Sequence, residues 1–195
     1  MGTTQPLKSK TEITRLKEYF IKKGEIRNYA MITLGLNTSI RISDLLNLQW
    51  ADVYNFHLKR YRKHISIIEQ KTEKHTMIPL NKEAKKALDY LMEQEKTITE
   101  TDYIFKSRIG DNRPIGRTQA YRIIKHATEE LNIEGTLACH SLRKTFGYQA
   151  WKQGVPPAVI MSIYNHSSLE VTKRYLSIDQ DERDAVFMKL NLCNY

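Results

Sequence analysis

The spacing of hydrophobic residues changes twice along this chain of 195 residues, and this restricts the fold more than any other feature. Early in the chain the apolar side chains recur at helical spacing, as in Ile13, Leu16 and Phe20. Around Ile65 and Ile67 they alternate with polar neighbours, as they do in a strand. Helical spacing then returns and continues towards the C-terminus. The sequence therefore predicts an α+β domain that is mostly α-helical, with a small antiparallel β-sheet.

The alternating segment predicts a β-hairpin. Alternation resumes at Thr76 after the polar turn 71–74, and a third strand is expected near residues 53–56. Pro79 indicates that the second strand is an edge or is ending. A helix near the N-terminus closes at Gly24, and another begins near Ser39, which can cap it. Further helices are predicted over residues 26–37, 84–92, 120–131, 141–153, 156–164, 169–175 and 181–190.

The net charge favours a polyanionic partner. The chain has 31 Lys and Arg against 22 Asp and Glu, a formal net charge of +9. Neutralising phosphates with such residues releases condensed counterions, which favours nucleic acid binding. A merely basic surface is the alternative.

The sequence also indicates the location of the protein and its domain organisation. Cys139 and Cys193 are far apart and read as reduced thiols. The sequence has no signal-peptide core and no apolar run near the roughly 18 residues of a membrane span. We expect a cytoplasmic, nucleoid-associated protein without membrane contact. It would have a flexible N-terminal tail over residues 1–10 and one domain over residues 11–195.

Two arginines, two histidines and a tyrosine follow an order suited to phosphodiester chemistry. Arg41 falls in the helix expected near Ser39, and His140 and Arg143 share one helical face. Arginine forks can hold the non-bridging oxygens and stabilise a pentacoordinate transition state. Tyr175 can attack if a base removes its proton, since a free phenol has a pKa of about 10. His140 or a second histidine, at position 166, can accept that proton.

This set of residues resembles the catalytic domain of the tyrosine recombinase (phage integrase) family. The segment 41–50 is similar to the family's first-arginine helix, and the segment 165–175 to its histidine-to-tyrosine segment. The segment 71–80 is similar to the hairpin that carries the family's catalytic lysine. The resemblance covers nearly the whole chain. It implies that family's helical catalytic fold with a sheet of about three strands.

The resemblance also implies a role for each residue. Tyr175 would attack the scissile phosphate, giving a 3′-phosphotyrosyl bond and a free 5′-hydroxyl. Arg41 and Arg143 would hold the phosphate, while His140 would help to move the tyrosine proton.

The remaining roles concern the leaving group and the order of the site. Lys71 would protonate the leaving 5′-oxygen as general acid, with Lys74 as the alternative. His166 would donate a hydrogen bond to a non-bridging oxygen, and Asp44 would help to order the site.

The implied activity is site-specific recombination or integration of double-stranded DNA, as in a mobile element, with no metal and no other cofactor. His126, Cys139 and His140 lack zinc-like spacing. A type IB-like topoisomerase or resolvase is the enzymatic alternative. A non-catalytic DNA-binding regulator with the same fold is the other alternative.

The sequence departs from the family pattern in two residues and in length. Asn165 and Ser39 stand where the family usually has glycine. Only 40 residues precede Arg41, so the N-terminal core-binding domain is expected to be absent. The chain is then either a catalytic fragment or a minimal recombinase.

Two surface segments have two interpretations each. The first is basic and either follows a DNA backbone or protects a strand edge from aggregation. The second, the amphipathic stretch Asp181–Leu190, docks either on its own domain or on a neighbouring copy, which would produce self-association on DNA. The basic candidates for DNA contact are Lys59, Arg60, Arg62 and Lys63.

Overall fold

The computed structural model describes residues 4–95 and 97–190, so Cys193 lies outside the described residues. In this part of the chain the helices are α1 (Lys10–Lys22), α2 (Ile26–Thr38), α3 (Ile42–Leu46), α4 (Trp50–Val53), α5 (Lys82–Gln94), α6 (Arg117–Glu130), α7 (Cys139–Lys152), α8 (Pro157–Tyr164), α9 (Leu169–Leu176) and α10 (Ile178–Lys189). The strands are β1 (Tyr54–Asn55), β2 (Arg60–Tyr61), β3 (His64–Ile68) and β4 (His75–Pro79). The predicted α+β class with mostly helical structure is confirmed.

Helix α2 forms the centre of the main core and packs against α1, α5 and α7. Residues 28–36 are buried without interruption, because this part of the segment is mostly apolar. At Gly35 a Cβ would stand 2.7 Å from Leu142 Cδ1, so the glycine lets α7 approach closely. This contact fixes the helix that carries His140 and Arg143 against the core.

The chain leaves α2 through Ser39, whose φ of 56° lies in the left-handed region that favours glycine. A left-handed residue typically ends a helix. The prediction that the next helix begins near Ser39 is therefore wrong, since α3 begins at Ile42 and Arg41 is its extended N-cap residue. Arg41 projects from the start of α3 and not from the face of a helix.

The four strands form two separate antiparallel pairs, where the sequence predicted one sheet of about three strands. The strand expected near residues 53–56 exists as β1, but it pairs with β2 and not with the hairpin of β3 and β4. Lys59, at a φ of 48°, lies in the short loop that turns the chain back on β1. Pro79 is the last residue of β4, as expected for a residue without a backbone N–H.

The last third of the chain has its own apolar cluster, formed by α7, α8, α9 and the start of α10. A Cβ at Gly147 would stand 2.6 Å from Tyr164 Oη and 2.7 Å from Leu176 Cδ2, so only glycine permits this packing. Helix α8 is followed by Asn165 and α9 by Ser177, which have φ values of 55° and 59°. These turns direct the chain back onto the cluster.

The residues before α1 lie along α7. The backbone N–H of Leu7 donates a 2.8 Å hydrogen bond to Thr145 Oγ1, and the Leu7 side chain is buried. The backbone N–H of Gln5 donates to the Thr136 carbonyl at 3.0 Å. Residues 4–9 therefore contact the domain, and the boundary between tail and domain stays a prediction.

Helix α10 is fixed at its beginning and exposed at its end. Asp181 accepts a 2.7 Å hydrogen bond from the Tyr148 hydroxyl and forms an ion pair with Lys8. The exposed apolar side chains near the end of α10 are Val186, Phe187, Met188 and Leu190. Across the described residues, no helix is long and apolar enough to cross a membrane.

Candidate active site

Tyr175 is placed by the way α9 is anchored. Ser168 caps this helix by accepting a 3.2 Å hydrogen bond from the backbone N–H of Val171. Thr172 and Leu176, one turn apart, are fully buried and hold α9 on the cluster. Tyr175 flanks this buried face and is half-buried. Its phenol therefore lies at the edge of the domain core.

The phenol of Tyr175 faces two arginines. Burial raises the pKa of Tyr175, whereas the charge of Arg143, a hydrogen bond with Arg143 and the charge of Arg41 act in the opposite direction. Arg143 is 6% exposed, and its Nη1 donates to the Ser39 carbonyl. Its guanidinium lies 4.7 Å from the ring centroid of Tyr164. These two contacts orient Arg143 in advance.

Arg41 is paired with a carboxylate. Its Nη1 lies 2.5 Å from Oε2 of Glu69, and both side chains are largely buried. Burial raises the pKa of Glu69, but hydrogen bonds with Thr72 and Arg41 and the charges of Arg41 and Arg143 lower it below its usual value overall. Glu69 is therefore ionised at neutral pH and orients Arg41.

Asp44 connects α3 to the β3–β4 hairpin. Its Oδ1 accepts a 3.1 Å hydrogen bond from the backbone N–H of Gln70, and the residue is buried. Burial raises the pKa of Asp44 above its ordinary value, although the bond from Gln70 and the charge of Arg41 act against this. Asp44 thereby holds the hairpin at the residue before Lys71.

His166 is oriented by a hydroxyl on α9. Its Nδ1 lies 3.1 Å from Thr172 Oγ1, and that hydroxyl donates to the Ser168 carbonyl, also at 3.1 Å. Because a hydroxyl has one proton, Nδ1 must donate to it, and Nε2 of the neutral ring is an acceptor. Burial, then the two arginines, lower the pKa of His166. The His166 and Tyr175 ring centroids are 5.1 Å apart, edge to face.

His140 lies in the first turn of α7, in a strongly positive environment. Burial lowers the pKa of His140, and so do the charges of Arg117, Lys144, Arg143 and Lys71. The imidazole is therefore neutral at pH 7 and can accept a proton. Lys71 of the hairpin turn is thus near enough for its charge to act on His140.

The hairpin turn carries two lysines, which differ in their contacts. Lys74 donates a 2.6 Å hydrogen bond from its Nζ to Asn165 Oδ1, directly before His166. Lys71 is exposed. The structure thus brings one set of predicted residues to a common site, around the ends of α3, α7 and α9 and the hairpin turn. These are Arg41, Asp44, Lys71, His140, Arg143, His166 and Tyr175.

The basic run lies elsewhere. Arg60, Arg62 and Lys63 line a groove of about 720 Å³ that also includes Asn55 and His64. None of the predicted catalytic residues lines this groove. Arg62 also donates a 2.6 Å hydrogen bond to the Ala51 carbonyl, which fixes its side chain. Lys59 is exposed in the loop between β1 and β2.

No group of three or more His, Cys, Asp or Glu side chains in residues 4–95 and 97–190 is arranged to hold a metal ion. The site is instead a cationic pocket around a phenol, with Glu69 as its ionised carboxylate.

Known proteins share the sequence pattern and the fold of this chain. A sequence profile described as the phage integrase family matches residues 9–182. The chain belongs to the phage integrase family. It is 36% identical over 187 residues to the probable integrase/recombinase YoeC of Bacillus subtilis (strain 168), covering 96% of this chain and 97% of YoeC. It is 30% identical over 178 residues to a tyrosine recombinase of Pseudothermotoga lettingae, covering 90% of this chain and 58% of that protein.

The fold of this phage integrase family member is also found in solved structures. The XerH site-specific recombinase, crystallised with a palindromic difH substrate as a post-cleavage complex, matches with a TM-score of 0.72 at 18% identity. The match covers 97% of this chain and 54% of the XerH chain. The predicted tyrosine recombinase catalytic-domain fold is confirmed, and the chain is an enzyme of the tyrosine recombinase type.

Three further residues that lie around the candidate site were not predicted from the sequence. Glu69, directly after β3, pairs with Arg41, directly before α3. The sequence indicates it only as the residue that follows a strand of alternating polarity. Tyr164 contacts both Arg143 and His166 through its ring. Its position two residues before His166 is the only sequence signal for this contact. Lys144 is 4% exposed, and only its position next to Arg143 could have indicated a role.

Proposed function

We propose that this recombinase cleaves and rejoins duplex DNA at specific sites through a covalent 3′-phosphotyrosyl intermediate on Tyr175. The observation that carries the proposal is the position of Tyr175, whose ring lies 5.1 Å from the His166 ring between centroids and whose phenol is close enough to Arg143 and Arg41 for their charges to oppose the rise in its pKa. A nucleophile, two cations and a proton acceptor thus meet without rearrangement of the fold.

The first chemical step in the proposal is loss of the Tyr175 proton. The raised pKa of Tyr175 makes the free phenol unreactive at neutral pH, so a base must assist. His166 supports this role because Nε2 of its neutral ring is an acceptor. His140 is the alternative base, because its lowered pKa keeps the imidazole neutral and able to accept a proton. Once a phosphate is bound, its charge favours protonated His166, which then donates to a non-bridging oxygen.

The two arginines would hold the phosphate during attack. Each guanidinium can donate two parallel hydrogen bonds, and their charges stabilise the extra negative charge of the pentacoordinate state. Glu69 fixes Arg41, and the Ser39 carbonyl fixes Arg143, so little reorganisation is needed when DNA binds. The positions of these partners support preorganisation as the source of rate.

Lys71 would protonate the leaving 5′-oxygen. It is exposed on a hairpin turn that Asp44 and Asn165 hold against the site. Lys74 is occupied by Asn165, which favours Lys71 as the general acid. The covalent phosphotyrosine conserves the energy of the phosphodiester bond, so religation needs no nucleotide.

Double-stranded DNA is the partner in this proposal, in keeping with the difH-bound state of XerH. Arg60, Arg62 and Lys63 in the basic groove, with Lys59 in the adjacent loop, would contact the phosphate backbone. The apolar end of α10 would bind a neighbouring copy on DNA, since its side chains are exposed among the residues that the structure describes. A cytoplasmic, nucleoid-associated location belongs to the same proposal.

Supercoiled plasmid provides the test. After incubation and a detergent quench, we expect relaxed plasmid and protein-linked DNA from the natural chain and neither from Tyr175→Phe. Joining of two duplexes would identify a recombinase, and relaxation alone would indicate a topoisomerase. An adduct that persists in Tyr175→Phe would contradict the assignment of the nucleophile.

A further inference from the structure

We propose that Lys144 is a positioning residue for the nucleophile, whose buried ammonium holds the Tyr175 ring and stabilises the phenolate formed during attack. This inference rests on the proposed role of Tyr175. Lys144 follows Arg143 on α7 and lies one turn after His140. It is distinct from the lysine that the hairpin supplies.

The contacts of Lys144 are unusual for a lysine. The residue is 4% exposed, and its Nζ donates a 2.5 Å hydrogen bond to the Thr4 backbone carbonyl. The same Nζ lies 5.1 Å from the ring centroid of Tyr175. Within the described residues no carboxylate pairs with it. A buried ammonium without a counterion is costly, and burial lowers the pKa of Lys144.

The face of an aromatic ring attracts a cation, and a phenolate attracts it more strongly than a phenol does. Lys144 is therefore better accommodated when Tyr175 is ionised than when it is neutral. Reciprocally, the ammonium favours ionisation of Tyr175, the state required for attack.

The other charged groups around Tyr175 have different tasks. Arg143 of α7 and Arg41 at the start of α3 face the phenol, and both would share their charge with a bound phosphate. His166, from the loop after α8, exchanges a proton, and Tyr164 of α8 is a neutral ring 5.3 Å away between centroids. Lys144 is the cation that lies over the Tyr175 ring.

A purely structural explanation is that Lys144 only anchors the N-terminal segment through Thr4. Three substitutions separate this explanation from the proposal. Lys144→Gln keeps a donor for the carbonyl and loses the charge, Lys144→Met loses both, and Lys144→Arg keeps both. Lys152 gives a matched control, because it lies on the same helix with Nζ 5.7 Å from the ring centroid of Tyr148.

The first readout is the single-turnover cleavage rate of a nicked duplex as a function of pH. We expect Lys144→Gln and Lys144→Met to cleave about tenfold more slowly at pH 7, a deficit that shrinks as pH rises and the phenol ionises. Lys144→Arg and Lys152→Gln should remain within about threefold of the natural chain. A natural rate in Lys144→Gln, or a deficit that does not change with pH, would overturn the proposal.

The second readout needs no DNA, so it remains informative if the proposed function fails. Tyrosine labelled with ¹³C at Cζ is titrated by NMR, and Tyr175→Phe identifies the Tyr175 signal. Lys144→Gln should move the Tyr175 titration to higher pH, while Lys152→Gln leaves it in place. An unchanged titration would refute the inference, whatever the cleavage result.

Discussion

Lys74 donates a 2.6 Å hydrogen bond to the Asn165 side chain, which joins the β3–β4 hairpin turn to the residue before His166. Asn165 has a φ of 55°, a conformation that glycine adopts more readily. The residue thus accepts backbone strain and provides a side-chain acceptor that glycine lacks. We infer that the contact holds the hairpin over the site and leaves Lys71 for chemistry.

Replacing Asn165 tests this coupling. Asn165→Gly keeps the left-handed turn but removes the acceptor, so we expect amide hydrogen exchange in residues 69–74 to accelerate about fivefold, equivalent to one hydrogen bond of about 1 kcal/mol. Asn165→Asp, which retains an acceptor, serves as the control and should keep the protection. Equal exchange in all three proteins would show that the contact does not hold the hairpin.

The identity of the general acid can be decided with a modified leaving group. Lys71→Ala should slow cleavage by about 10²–10⁴-fold, the usual contribution of a general acid. A 5′-bridging sulfur should restore the rate, because a thiolate leaves without a proton. Lys74→Ala should lose much less activity and gain nothing specific from the sulfur. Rescue of Lys74→Ala and not of Lys71→Ala would reverse the assignment.

The Arg41–Glu69 ion pair should make stability depend on pH. The pKa of Glu69 is lowered in the folded state, so its contribution is complete above the unfolded pKa of about 4.5 and is lost as pH falls through the folded value. We expect Glu69→Gln to cost about 3 kcal/mol at pH 7, since it leaves a largely buried arginine unpaired. Urea unfolding from pH 3 to 7 measures both the cost of the substitution and the pH dependence of stability.

In Glu69→Gln the free energy of unfolding should also fall less steeply on acidification than in the natural chain. Parallel curves for the two proteins would mean that Glu69 does not titrate with folding. Thr72→Val, which removes a hydrogen-bond donor to Glu69 without removing the ion pair, should lie between them.

Packing of α9 depends on Gly147. A methyl group there would stand within 2.8 Å of Tyr164 and Leu176 atoms, so Gly147→Ala should destabilise the fold by about 1–3 kcal/mol through overpacking. It should also displace Tyr175 and lower cleavage. Gly116→Ala is the matched control, because its Cβ would meet nothing within 4 Å. Similar melting temperatures for both variants would contradict the close packing.

Local sequence signals predicted the positions of most helices. They did not predict which elements contact each other in the fold. Periodicity predicted α7, α8 and α9, and two of these helices carry His140, Arg143 and Tyr175. The start of α3 was misplaced because a left-handed serine has no periodic signal. One sheet of about three strands was predicted where the structure has two separate pairs, since alternation identifies strands but not their partners.

The sequence indicated which residues belong to the candidate site. It did not indicate the contacts that hold them in place. Motif spacing indicated the arginines, histidines and Tyr175, because their types are suited to phosphate chemistry. Glu69 and Lys144 were missed because their importance comes from contacts with Arg41 and Tyr175 on distant segments. Burial of a charged side chain is a property of the fold, and the amino-acid type alone predicts the opposite.

Peptide mapping of a trapped protein–DNA complex tests the central claim most directly. A nicked duplex that traps the cleaved strand is reacted with the chain, digested with nuclease and trypsin, and analysed by mass spectrometry. We predict a nucleotide adduct on the peptide of residues 175–183, with fragment ions that place it on Tyr175. An adduct on the peptide of residues 153–173, which contains Tyr164, or on any other residue would contradict the proposed mechanism.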